Sequence, residues 1–150
     1  MKYLFSAALI IAATQVLHAQ DIETEKAEIR RIIQTAYVEG LQNEGDAEKI
    51  EEGFHKDFRL LGLDETGQLW ILPIEEWKDH VLKKRKKGEL PRESSNLYKV
   101  EFEMIDITEI AAIAKLKCYS GKELKFIDYI SLYKVGNEWK IVNKIFYKVD

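Results

Sequence analysis

The chain has 150 residues, 46% hydrophobic and 33% charged, which fits one globular domain and excludes a disordered chain. Twenty-three basic against 26 acidic residues give a net charge of -3, so the basic surface that phosphate-driven nucleic-acid binding needs is missing. Two prolines exclude a Pro-rich stalk, and a single cysteine excludes an internal disulfide.

The chain opens with Lys2 and a mostly apolar run over residues 3–17, followed by Ala19 and a strongly charged segment over 21–31. A run shorter than the ~20 residues that span a bilayer, with a small residue behind it, predicts a signal peptide over residues 1–19. The competing reading is an uncleaved membrane anchor. With the signal removed, residues 20–150 form one exported domain, periplasmic or secreted, with no stable membrane insertion. Cys118 sits in an alternating strand pattern and reads as a small buried hydrophobe.

Over residues 22–41, Ile29, Ile32, Ile33, Ala36, Tyr37 and Leu41 recur at threes and fours, which predicts an amphipathic helix with Asp21 or Thr24 as cap. Asp46 can cap a second, shorter helix with Ala47, Ile50 and Phe54 on its apolar side. Two strands follow over 58–63 and 68–72, around the turn Asp64-Glu65-Thr66-Gly67. Pro73 opens a third helix whose buried stripe is Ile74, Trp77 and Val81. The basic run 83–87 resembles a nucleic-acid patch, but before Gly88 it reads as a solvated helix C-terminus where cations suit the dipole.

After Pro91 the period changes to two. Four alternating segments, 97–107, 110–119, 125–134 and 138–147, are rich in β-branched and aromatic residues. Three N-terminal helices followed by a mainly antiparallel sheet make an α+β domain.

Gly136-Asn137 marks a two-residue hairpin turn, so Val135 faces Glu138. A regular ladder from there sets Leu132 against Ile141, Ile130 against Asn143, Asp128 against Ile145 and Phe126 against Tyr147 on one apolar face. Asp128 and Asn143 alone interrupt that inner row. A carboxylate there needs a partner or a wet cavity, since burying it alone costs several kcal/mol. A ligand pocket and a structural hydrogen bond to a helix both answer that need. The other face pairs Tyr129 with Lys144, Ser131 with Val142 and Tyr133 with Lys140, and suits solvent or a partner subunit. The loop at Ser120-Gly121-Lys122 leaves the previous register open. Keeping Lys115 and Lys117 outward places Ala112, Ala114, Leu116 and Cys118 inward.

Several segments together resemble a known family. They are Tyr37-Val38-Glu39-Gly40, Gly45-Asp46-Ala47, Phe54-His55-Lys56-Asp57-Phe58, the strand from Phe126 to Leu132, and the strand from Trp139 to Phe146. In order and spacing the chain resembles the nuclear transport factor 2-like superfamily, and within it the group named putative lumazine-binding proteins. Lys56 stands where that family often has proline. The resemblance implies a cone-shaped domain, a curved sheet wrapped around helices with a cavity on the concave face. Isomerases, dehydratases, polyketide cyclases and plain binding proteins all use such a cavity, so fold does not choose among them.

Beyond residue 20 there are two histidines, His55 and His80, with no zinc-binding spacing, no glycine-rich phosphate loop and no nucleophile elbow. No metal and no cofactor is expected. Carboxylate and histidine acid–base chemistry remains, with Asp128 and His55 as candidate catalytic residues. Tyr37, Trp70 and Trp77 are candidate cavity walls beside the anchors Asp128 and Asn143. Three functions stay open. One is a domain binding a small apolar or aromatic ligand. Another is a proton-transfer enzyme with Asp128 as base and Tyr37 or His55 as proton donor. The third is a ligand-free module that dimerises through the Tyr129, Ser131 and Tyr133 face. A homodimer through the sheet is compatible with all three.

Overall fold

The computed structural model describes residues 21–149, and the expected signal peptide at 1–19 lies outside them. Helix α1 is α-helical over 21–32 and continues as a π-helix over Ile33–Glu44. Its predicted stripe is buried, and Val38 and Asn43 are buried too. The wider turn accounts for that, because i→i+5 spacing stacks Ile33, Val38 and Asn43. Asp46 then caps α2 (Ala47–Gly53) by accepting from the Lys49 N–H at 3.1 Å. The two helices pack at backbone distance, since a Cβ on Gly53 would lie 2.4 Å from Ala36 Cβ.

Strand β1 (Phe54–Leu63) starts directly after α2, four residues earlier than its sequence pattern suggested. Phe54 therefore packs from the strand, edge-on to Phe58 at 4.9 Å. Its hairpin partner is β2 (Leu69–Pro73), joined by a turn in which the Asp64 carboxylate accepts from Thr66 and Gln68. Helix α3 (Ile74–Lys86) buries Ile74 and Val81 and leaves its basic end exposed, with Gly88 at φ 76° behind it. Strands β3 (Tyr98–Thr108), β4 (Ala111–Ser120), β5 (Glu123–Val135) and β6 (Glu138–Lys148) complete the chain. No helix among the described residues is long and apolar enough to cross a membrane.

The six strands form one open, curved sheet in the order β2-β1-β6-β5-β4-β3. Every pair is antiparallel except β1 with β6, which is parallel. The helices lie on the concave face, where α1 and α3 close over Phe58, Ile130, Leu132 and Ile141. Ala112, Ala114, Leu116 and Cys118 point inward as the polarity of Lys115 and Lys117 required.

The β5–β6 ladder corrects the expected register. It runs as read from Val135↔Glu138 to Leu132↔Ile141, then shifts, so that Ser131 faces Asn143, Ile130 faces Lys144 and Asp128 faces Phe146. Val142 is the extra residue of a β-bulge, the usual device for bending a sheet. Beyond it every side chain of β6 changes face. Asn143 and Ile145, expected inside beside Asp128, lie outside, and so does Tyr147. Lys144 and Phe146 take the inner positions.

Candidate functional site

Asp128 is fully buried (0% exposed) at the centre of the inner face. Its Oδ2 accepts from the Tyr37 hydroxyl at 2.7 Å and from the Cys118 thiol at 3.2 Å. The Lys144 ammonium lies 2.9 Å from Oδ1, which completes a buried ion pair. Tyr37 spends its one proton on Asp128. At the 3.0 Å contact between the two hydroxyls, Tyr98 is therefore the donor to Tyr37. Asn43 fixes Tyr98 in turn by bonding its backbone N–H and carbonyl at 2.8 and 3.0 Å.

The surroundings keep these groups protonated. Burial first, and the Asp128 charge second, push the Tyr37 and Tyr98 phenols well above the usual tyrosine range. The same two causes push the Cys118 thiol up, which makes it an inert donor rather than a nucleophile. Asp128 thus has three donor groups around it and no open side, a poor arrangement for a general base toward a bound molecule.

Lys144 is 5% exposed and surrounded by rings. Its Nζ lies 4.6 Å from the centre of Phe146, 5.5 Å from Tyr37, 5.9 Å from Trp77 and 6.0 Å from Phe126. Such faces stabilise a desolvated cation. Phe146 also meets Phe126 at 5.6 Å and Trp70 at 6.0 Å, which makes a half-buried belt of rings along the concave face. Trp70 reaches the belt because position 62 is glycine. A Cβ there would lie 2.1 Å from Trp70 Cζ2.

Tyr37, Trp70, Trp77 and Asp128 are therefore brought together, while Asn143 and His55 are not. Asn143 donates to the Arg59 carbonyl at 2.9 Å and ties β6 to β1. His55, whose Nδ1 accepts from the Asp57 N–H at 3.2 Å, lines a separate cavity of about 340 Å³ with Ile50, Phe54, Ile74, Lys78 and Lys140. Lys144, Tyr98 and Phe146 were absent from the sequence-based site. Lys144 and Phe146 needed the bulge to be seen. Tyr98 needed its pairing across the sheet to Ser120, far from the hairpin. Among the described residues no group of three His, Cys, Asp or Glu side chains could hold a metal.

A protein family described as "Putative lumazine-binding" matches residues 24–147. The chain belongs to this family. Comparison with curated proteins gives no match. Among solved structures, this member of the Putative lumazine-binding family is similar to an NTF2-like protein of unknown function from Shewanella baltica OS155. The two are 23% identical, with a TM-score of 0.68, over 85% of this chain and 95% of that one. It is also similar to an NTF2-like protein of unknown function from Silicibacter pomeroyi DSS-3, at 16% identity and TM-score 0.67 over 85% and 98% of the two chains. A third, from Methylobacillus flagellatus KT, shares 22% identity and TM-score 0.62 over 85% and 94%. At these identities the likeness is one of fold, the α+β cone.

Proposed function

We propose that the protein is an exported small-molecule-binding domain whose ligand lies on the belt of rings, anchored at the Asp128–Lys144 pair. The observation that carries this reading is the pair itself. A buried ion pair is weak as a stabilising device, and apolar side chains of similar volume often do as well or better. Retaining it among aromatic rings makes sense where a bound molecule uses it. The family description supports flat heteroaromatic molecules of the lumazine class as the first ligands to test. The charged segment after a short apolar run supports export.

The test is a thermal-shift screen of lumazines, pterins, flavins and aromatic polyketides, with mass spectrometry for a molecule carried through purification. A ligand at 100 times its dissociation constant stabilises by about 2.7 kcal/mol, and the midpoint then rises by roughly 5 °C. The expected result is a hit that Asp128→Asn weakens. No hit in any class, with no carried-over molecule, would remove the reading.

The outer face of the sheet suits a second copy of the chain. Leu63, Leu69, Ile71, Ile145 and Tyr147 are exposed on β1, β2 and β6. Lys115 and Lys117 on the β4 side are already paired with Glu103, at 3.1 and 3.0 Å. We propose that two copies meet through this apolar cluster, at whose margin Arg59 is the exposed charge.

A further inference from the structure

We infer that Lys144, not Asp128, is the group that touches the ligand, and that the ligand is a flat aromatic molecule presenting an acceptor oxygen, with anions favoured over cations. This rests on the small-molecule reading of the same site and goes on to name what that site selects.

The argument starts from hydrogen-bond capacity. An ammonium has three N–H donors. Among the described residues, the polar partner of the Lys144 ammonium is Asp128 Oδ1 at 2.9 Å, which leaves N–H capacity unused. The rings around it stabilise its charge but accept no conventional hydrogen bond. A donor this deeply buried normally has a partner. Asp128 Oδ1 is that partner for one N–H, and a carboxylate, an enolate or a ring carbonyl supplies an acceptor for the others.

Accessibility sets the sign. Asp128 lies wholly beneath the surface, while a sliver of Lys144 is exposed. The pair is neutral as a whole, yet of its two members only Lys144 has exposed surface, so a molecule that reaches the pair meets the ammonium end first. A cationic ligand would approach a fixed positive charge in a low-dielectric setting, where repulsion is least screened. Asp128 acts here as a positioning residue. Tyr37 and Cys118 fix its Oδ2, and its Oδ1 holds the ammonium.

Three probes with one ring system separate the possibilities: 2-naphthoate, 2-naphthamide and 2-naphthylmethylammonium. Each is titrated into the purified protein and followed by calorimetry and tryptophan fluorescence. Wild type is expected to bind naphthoate best, the amide next and the ammonium weakest, with the two ends of the series about tenfold or more apart. Lys144→Arg should keep that order. Lys144→Met should lose about tenfold or more on naphthoate. Because it strands a buried carboxylate, Asp128→Asn with Lys144→Met serves as the variant without either charge, checked for fold by circular dichroism. Equal affinity for all three probes, a preference for the ammonium, or unchanged naphthoate binding in the double variant would overturn the assignment while leaving a binding site. If neither these probes nor the heteroaromatic screen gives binding, the site itself is refuted and the assignment with it.

Discussion

Asp128 is surrounded by groups that hold their protons, and this has a measurable effect on stability. Removing the Tyr37 hydroxyl leaves the buried carboxylate one donor short, so Tyr37→Phe should cost about 1–3 kcal/mol at neutral pH, read from denaturant unfolding. The alkaline limb is a second consequence. Unfolded tyrosines lose their protons near pH 10, whereas Tyr37 and Tyr98 keep theirs well above it in the folded chain. Above pH 10 the unfolded state therefore binds fewer protons than the folded one. Their contribution is full below pH 10 and is lost as pH rises from there toward the raised folded values. Unfolding free energy should be flat in this respect from pH 8 to 9.5 and fall beyond about 10. The fall should be shallower in Tyr37→Phe with Tyr98→Phe. An equally steep fall in that variant would show that other groups set the alkaline limit.

Among the elements, the helical stripe of α1, the turn at Gly136-Asn137 and the inward row of β4 were all legible in the sequence. Each rests on a local period or a residue with special backbone freedom. The bulge at Val142 was not. Val142, Asn143, Lys144 and Ile145 offer an apolar side chain in either register, and the regular ladder buries isoleucine where the bulged one buries lysine. Pattern reasoning weighs Lys144 alone, and alone it is too costly to bury. Its partner Asp128 is on another strand, so the compensation is visible only in three dimensions. This is also why Asp128 was found and its ion-pair partner was missed. Gly62 is a similar case, since its reason is the Trp70 ring lying on it. Gly62→Ala should displace that ring, cost about 1–3 kcal/mol through overpacking and alter the near-ultraviolet circular dichroism. An unchanged spectrum with full stability would show that the ring has slack.

For the whole molecule, the exposed apolar cluster of Leu63, Leu69, Ile71, Ile145 and Tyr147 predicts the assembly. Sedimentation should give a dimer, and Ile145→Lys should yield a folded monomer, because two like charges would then meet across the two-fold axis. A wild-type monomer at every concentration would leave the exposed Leu63 (67%) and Tyr147 (62%) without that explanation. The strand order carries a further consequence, one of timing. The last strand in sequence, β6, is third from one edge of the sheet and joins the β1–β2 hairpin to the β3–β5 meander. Its pairing of Phe54 with Ile141 closes a loop across most of the chain, a slow step because its entropy is lost before any contact repays it. Until then the two halves have no ladder between them. Lys144 arrives on that same strand, so a nascent chain emerging from the ribosome has neither a sealed sheet nor a cation for Asp128, and acquires both in one event.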